Sequence, residues 1–371
     1  MNMNILGYFP GIDFSSNEQF GRKIHLREFI SNVKSNEQVT ATFVIGNAPS
    51  NLFNDDLNIL EMGHTNSILR QTASEFYQTL YLSNVIRQNS IDLIYTRDSP
   101  YFAPLLMSVL TKTPLVVEAN GVPENEGYNS VVSTAKNDVF HTIRAVKRRH
   151  AKKIIAVSKS VEESLLSENA NYRTATVPNG VDVNKFDIST PVSLSEPYTL
   201  CYVGGLQEWQ NIEKMIRVLS LIEKDIEFVI VGGTEERQAA LKETAETEGT
   251  EDSITFVGRV SHDKVPELIN ESDVCLGPFA QARRASPLKI YEYLACGREV
   301  IVVNDEGLEE IYDLPGVHRF QYESNDLLAS NITDTLNEIS TNREGRNVVV
   351  DKHSWEAITD RILQECQKVV K

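Results

Sequence analysis

Short apolar runs of strand length alternate with longer segments of helical periodicity along almost the whole chain. In the first half the strand-like runs fall at residues 4–9, 39–45, 92–95, 114–118 and 153–157. Between them lie helical segments at 18–32, with His25, Leu26 and Phe29 on related faces, and at 66–88, with apolar spacing through Ile68, Phe76, Leu80 and Val85. Further helices are expected at 100–110 and within 131–150, and Ser158 is set to cap another. Parallel strands need crossover connections, and helices supply them, so this rhythm predicts a parallel sheet covered on both faces.

The rhythm breaks at Val177-Pro178-Asn179-Gly180-Val181-Asp182, a run of turn residues, and a polar linker follows to Glu196. It restarts with strands at 199–203, 227–231, 254–257, 274–277 and 299–303, with helices between them. A chain of 371 residues is long enough for two domains of ordinary size. The expected architecture is α/β: two Rossmann-like, doubly wound parallel-sheet domains facing across a cleft.

Composition excludes several classes. With 41% hydrophobic and 24% charged residues, the chain reads as soluble and globular. A net charge of −16 argues against nucleic-acid binding. Residues 1–9 lack the charged and apolar regions of a signal peptide, and no apolar run approaches the roughly 20 residues of a membrane span. A cytoplasmic protein is therefore expected. Cys201, Cys275, Cys296 and Cys366 are scattered without metal-ligand spacing and read as buried thiols.

The chemistry concentrates in residues 284–297. Ser286 is a good N-cap, Pro287 suits the first helical position, and Gly297 supplies a left-handed stop. The free backbone N–H groups at Ser286, Leu288 and Lys289, with the helix dipole, form an anion site, to which Lys289 adds a charge. Glu292 lies one turn on, where a carboxylate accepts from two vicinal hydroxyls such as those of a ribose. Together these suggest a nucleotide diphosphate.

This segment resembles the donor-nucleotide segment of glycosyltransferase family 4, whose fold is GT-B. The Val177–Asp182 run, with Phe186 after it, is similar to the interdomain segment of that family. The resemblance implies an N-terminal acceptor domain at 1–183 and a C-terminal nucleotide-sugar donor domain at 184–350. It also implies a final helix, 351–371, that crosses back to the first domain with Trp355 as its anchor. The implied activity is sugar transfer from a nucleotide-diphosphate sugar to a glycan, lipid-linked or protein-linked acceptor. Retention of anomeric configuration and no essential metal or other cofactor are implied with it.

Residue by residue, the resemblance gives the glycine turn Gly204-Gly205 to the donor phosphates and the backbone of Arg259 and Val260 to the base. Asn120 stands where the family commonly has a histidine against the donor sugar, with Glu118 beside it and Glu124 and Glu126 close by as further carboxylates. Asn120, Glu118 and Lys289 are the candidate catalytic residues. The chain departs from the family at three places. Gly205 replaces an arginine of the turn, Asn120 replaces the histidine, and Arg284 replaces the first of two glutamates eight residues apart. Arg283 and Arg284 are then candidates to supply the missing charge. Arg97, and Arg22 with Lys23, are weaker candidates in the first domain. These departures keep open a catalytically silent partner or scaffold, or another GT-B sugar enzyme such as a phosphorylase or epimerase.

One stretch runs against the acidic balance. Between Lys136 and Lys153 there are seven Lys or Arg and one acidic residue, Asp138. Val139, Ile143 and Val146 are expected to face the sheet. Arg144, Lys147, Arg148, Arg149, Lys152 and Lys153 are then expected to face water, either as a plain solvated face or as a patch that meets a phosphorylated acceptor or an anionic membrane surface at the inner face.

Overall fold

The computed structural model describes residues 2–14, 20–37, 39–46, 58–61, 68–121, 131–193, 196–278, 288–303, 308–320 and 322–370. They form two compact units. One is Met1–Pro178 with Ile358–Lys371, and the other is Asn179–Ala357.

The first unit runs β1 (Met3–Phe9), α1 (Phe20–Ser35), β2 (Val39–Ile45), β3 (Asn58–Glu61), α2 (Ile68–Gln88), β4 (Leu93–Arg97), α3 (Ala103–Thr111), β5 (Leu115–Ala119), α4 (Val131–His150), β6 (Lys153–Ala156), α5 (Lys159–Glu168) and β7 (Thr174–Thr176). Its seven strands are ordered β3-β2-β1-β4-β5-β6-β7, and every pairing is parallel. β1 and β4 are buried almost throughout, which is why they read as unbroken apolar runs. Ser158 caps α5 by accepting from the Val161 N–H at 3.2 Å, as its side-chain type and place foretold.

The second unit runs β8 (Tyr198–Gly204), α6 (Ile212–Leu219), β9 (Ile226–Gly232), α7 (Glu235–Glu248), β10 (Ile254–Gly258), α8 (Val265–Asn270), β11 (Val274–Gly277), α9 (Leu288–Ala295), β12 (Glu299–Val303), α10 (Glu309–Tyr312), β13 (Val317–Phe320), α11 (Asn325–Glu338) and α12 (Arg343–His353). Its six parallel strands are ordered β10-β9-β8-β11-β12-β13, the doubly wound order. The last helix, α13 (Trp355–Val370), begins in the second unit and from Ile358 belongs to the first. Within the first unit it is tied by Lys153 Nζ to Glu365 Oε2 at 2.9 Å, and Cys366 is buried.

The polar linker is laid down on the second unit. Asp273 accepts from the N–H groups of Ser193 and Thr199, both at 2.8 Å. The guanidinium of Arg298, fully buried, donates to the carbonyls of Thr190 and Asn270. All four cysteines are free and buried.

Part of α4 is turned the other way from expectation, and the apolar spacing of α2 does not mark its buried face. On α4 the apolar residues look outward: Val139 is 56% exposed and Val146 41%. Lys147 and Arg148, expected in water, are buried instead. Lys147 Nζ donates to the carbonyls of Arg97 and Ser99, while Arg148 pairs with Asp98 and Glu168. Buried cations are tolerable because each of them meets acceptors on the β4–α3 connection or on α5.

On α2 the spacing residues Phe76 and Leu80 are exposed, at 55% and 70%. Its buried face carries Glu75, Gln78, Thr79 and Ser83 beside Leu82 and Ile86. These polar groups have work inside. Glu75 Oε2 accepts from the N–H groups of Phe102 and Ala103, at 2.7 and 3.1 Å, and so satisfies the start of α3. Gln78 Oε1 accepts from the Tyr8 hydroxyl at 2.5 Å.

Candidate functional site

In doubly wound sheets, ligands sit outside the carboxyl ends of the strands, where the strand order reverses. In the second unit this point lies between β8 and β11. β8 ends in Gly204, followed by Gly205. A Cβ at Gly204 would stand 2.5 Å from the Tyr202 hydroxyl and 2.6 Å from Lys289 Nζ, so only glycine lets the lysine lie against this turn. Lys289, in the first turn of α9, donates to the Tyr202 hydroxyl at 2.7 Å and lies 4.3 Å from the centroid of that ring. Burial pushes the Lys289 ammonium down to about 7, with Glu292 opposing the shift. An amine poised there gains its proton fully when an anion approaches.

The neighbouring strand ends close the same edge. Gly233, with φ +77°, donates its N–H to the Gly204 carbonyl at 3.1 Å. Arg259 follows β10 and donates from Nε to the Gly233 carbonyl at 2.8 Å, so its side chain ties two of the turns together. Val260 is half-buried against the core of the unit.

Glu292 has a partner that sequence reasoning did not assign. Its Oε1 lies 3.0 Å from His262 Nε2. The other ring nitrogen, Nδ1, lies 2.8 Å from Lys185 Nζ, which also reaches Asp263 at 2.7 Å. An ammonium only donates, so Nδ1 accepts and the neutral ring carries its proton on Nε2, directed at Glu292. The ring also packs against Phe186, with centroids 5.3 Å apart. The two contacts of the histidine span 77 and 30 positions of the chain, and no local motif announces them.

Of the remaining donor-side candidates, Leu288 begins α9. Arg283, Arg284, Ser286 and Pro287 lie outside the described residues, as do Glu124 and Glu126.

In the first unit, Glu118 sits buried near the end of β5, in register with Arg97 of β4. Its Oε1 accepts from Asn120 Nδ2 at 2.6 Å and lies 3.1 Å from His25 Nε2 and 3.6 Å from Arg97 Nε. Its Oε2 accepts from the Tyr95 hydroxyl. Burial by itself would raise the carboxyl pKa, but His25, Arg97 and Tyr95 outweigh it and hold the group well below the usual carboxylate range. Glu118 is thus a fixed negative charge that orients Asn120.

Two doubly wound units, one of which gathers a poised lysine, a glycine turn and an oriented carboxylate at its strand ends, define the class as two-domain α/β enzymes of the GT-B type. The chain matches "Glycosyltransferase Family 4" over residues 42–185 and "Glycosyl transferases group 1" over residues 197–342, together well over half its length. It belongs to glycosyltransferase family 4 and is a nucleotide-sugar-dependent glycosyltransferase.

An uncharacterized glycosyltransferase of Methanocaldococcus jannaschii is 21% identical over 317 residues, covering 78% of this chain and 79% of its own. Among solved structures, a glycosyltransferase from Rickettsia africae is similar with a TM-score of 0.72 at 19% identity, covering 100% of this chain and 99% of its own. HepE of Anabaena, solved in complex with UDP, is similar with a TM-score of 0.73 at 15% identity, covering 99% of this chain and 100% of its own. HepE has also been solved in complex with UDP-glucose. At these identities the solved structures speak to the fold.

Proposed function

We propose that the second unit binds the nucleoside diphosphate of a sugar donor and that the first unit receives the acceptor. The observation that carries this reading is the meeting of the Gly204 turn and the Lys289 amine, with Glu292 one helical turn further along α9, held by His262. The glycine lets backbone approach the phosphates, the lysine balances their charge, and Glu292 takes the two ribose hydroxyls. As the bond to the sugar breaks, charge grows on the leaving diphosphate, and Lys289 is set to stabilise it without reorganising. Asn120 is assigned to the donor sugar by hydrogen bonding, since it has no proton to exchange. The base contacts are assigned to the backbone of Arg259 and Val260. Reaction with retention, without an essential metal, is the mechanism we expect of this family member.

Uridine is the base we favour, because HepE binds UDP and UDP-glucose. The deciding experiment is thermal-shift screening of the full chain against UDP, GDP and ADP and their sugars. Stabilisation by UDP above the other two is expected. Equal or stronger stabilisation by GDP or ADP overturns the base assignment, and no shift with any of them overturns the site.

The acceptor is proposed to be a growing surface glycan or its lipid-linked precursor, met at an anionic membrane face. Support comes from the exposed apolar residues of α2 and α3. Phe76, Tyr77, Leu80 and Tyr81 of α2 and Val109 and Leu110 of α3 are all exposed, and α2 and α3 pack together through Phe76 and Phe102, 5.1 Å apart. Arg87, which donates to the Leu110 carbonyl at 3.2 Å, and Lys112, at the end of α3, edge this patch, in a chain whose net charge is −16. Aromatics flanked by cations suit a headgroup layer. Among the described residues no helix is long and apolar enough to cross a membrane, so the association proposed is with its surface.

A further inference from the structure

The strand order of the first unit reverses between β1 and β4, and β4 ends in Arg97. Arg97 therefore holds the place in the first unit that ligands favour in doubly wound sheets. Its side chain is only 12% exposed. Among the described residues its charged partner is Glu118, 3.6 Å away and too far for a hydrogen bond, and the same carboxylate is engaged more closely by His25, Asn120 and Tyr95. Arg97 Nε and Nη1 are buried and meet no acceptor among the described residues. A guanidinium keeps its charge, and native proteins rarely leave such donors unused except where a ligand or water takes them.

A second guanidinium belongs to the same place. Arg22 is exposed in the first turn of α1, three residues before His25 and so on the same helical face. His25 lies 3.1 Å from the Glu118 oxygen that also faces Arg97. Arg97 and Glu118 cancel in charge. Arg22 and the start of α1 then leave the spot positive, with buried donors facing inward.

We propose that Arg97 and Arg22 bind a phosphoryl group carried by the acceptor. The fork of a guanidinium matches phosphate oxygens, and two of them suit a phosphate better than a single-charge carboxylate. The inference rests on the reading of the first unit as the acceptor side, and it adds that the acceptor is phosphorylated, either as a soluble sugar phosphate or as a lipid-linked one.

The test is direct binding to the full chain without any donor. Glycerol 3-phosphate is titrated into the wild type, Arg22→Gln, Arg97→Lys and Lys289→Met, and vesicles containing phosphatidylglycerol are offered to the same four proteins. Saturable binding in either arm that Arg22→Gln weakens about tenfold, one charge-assisted hydrogen bond's worth, sustains the proposal, and the arm that responds identifies the source of the phosphate. Arg22 is exposed, so its variant does not endanger the fold. Arg97→Lys keeps the charge and loses the fork, and it is expected to weaken binding as well.

Binding that Lys289→Met abolishes and Arg22→Gln leaves intact puts the anion in the second unit and overturns the proposal. No saturable binding in either arm means that water alone satisfies Arg97, and overturns it too. A failure of UDP to bind would count against the donor site and leave this titration as it stands.

Discussion

Gly204 and Lys289 occupy adjoining space: a Cβ at residue 204 would stand 2.6 Å from the lysine amine. Gly204→Ala is expected to push the Lys289 amine off the Tyr202 hydroxyl. The lysine end is flexible and can move, but the same Cβ would stand 2.5 Å from the hydroxyl of the buried Tyr202, so binding and folding both bear the change. UDP affinity measured by titration should weaken about tenfold or more, while unfolding stability falls by about 1–3 kcal/mol. Unaltered affinity in this variant would show that the lysine is not aimed at the nucleotide.

Lys289 gives donor binding a pH dependence. Its folded pKa is lowered to about 7 by burial, whereas an ordinary lysine titrates near about 10.4. Between about pH 7 and about pH 10 the unfolded chain holds a proton that the folded chain lacks. This group therefore makes the ligand-free protein gain stability as pH rises through that window and lose it as pH falls towards 7. Diphosphate prefers the charged amine, so nucleotide affinity should run the opposite way and weaken from about pH 6 to about pH 8.5. Titrations at both values check this, and Lys289→Met should flatten both slopes.

Lys147 is a structural cation, and its removal should show in stability. Lys147→Met keeps the length of the side chain but strips the donors from the Arg97 and Ser99 carbonyls. Burial has already pushed this ammonium down to about 8, with Asp98 opposing. The expected loss is about 1–3 kcal/mol in urea unfolding. Arg149→Met, on the exposed side of α4, should stay within about 0.5 kcal/mol. Equal effects in the two variants would contradict the buried placement of Lys147.

Much of the frame was legible in the sequence because sheet strands buried on both faces leave unbroken apolar runs. The strands expected at 39–45, 274–277 and 299–303 are present as β2, β11 and β12. The short strands β3, β7 and β13 went unread, since Asn58-Ile59-Leu60-Glu61, Thr174-Ala175-Thr176 and Val317-His318-Arg319-Phe320 form no sustained apolar run. The expected final helix is present as α13, set off from the preceding α12 by extended backbone at Ser354.

The orientation of α2 and α4 was not legible. Hydrophobic spacing points inward only when nothing polar inside competes. Here Glu75 was needed at the start of α3, and Lys147 at carbonyls 48 and 50 positions away. At the donor site, Lys289 and Glu292 were visible from local helix chemistry. His262 was not, because its link to Glu292 exists only once the connection between β10 and α8 meets α9.

Glu292 as the ribose ligand is tested most directly by the thermal shift of Glu292→Ala with UDP. The variant is expected to unfold at nearly the wild-type temperature without nucleotide, since Glu292 is half-buried and bonded chiefly to His262. With UDP its stabilisation should disappear. A wild-type shift with UDP in Glu292→Ala would contradict the ribose assignment, and with it the central reading of the site.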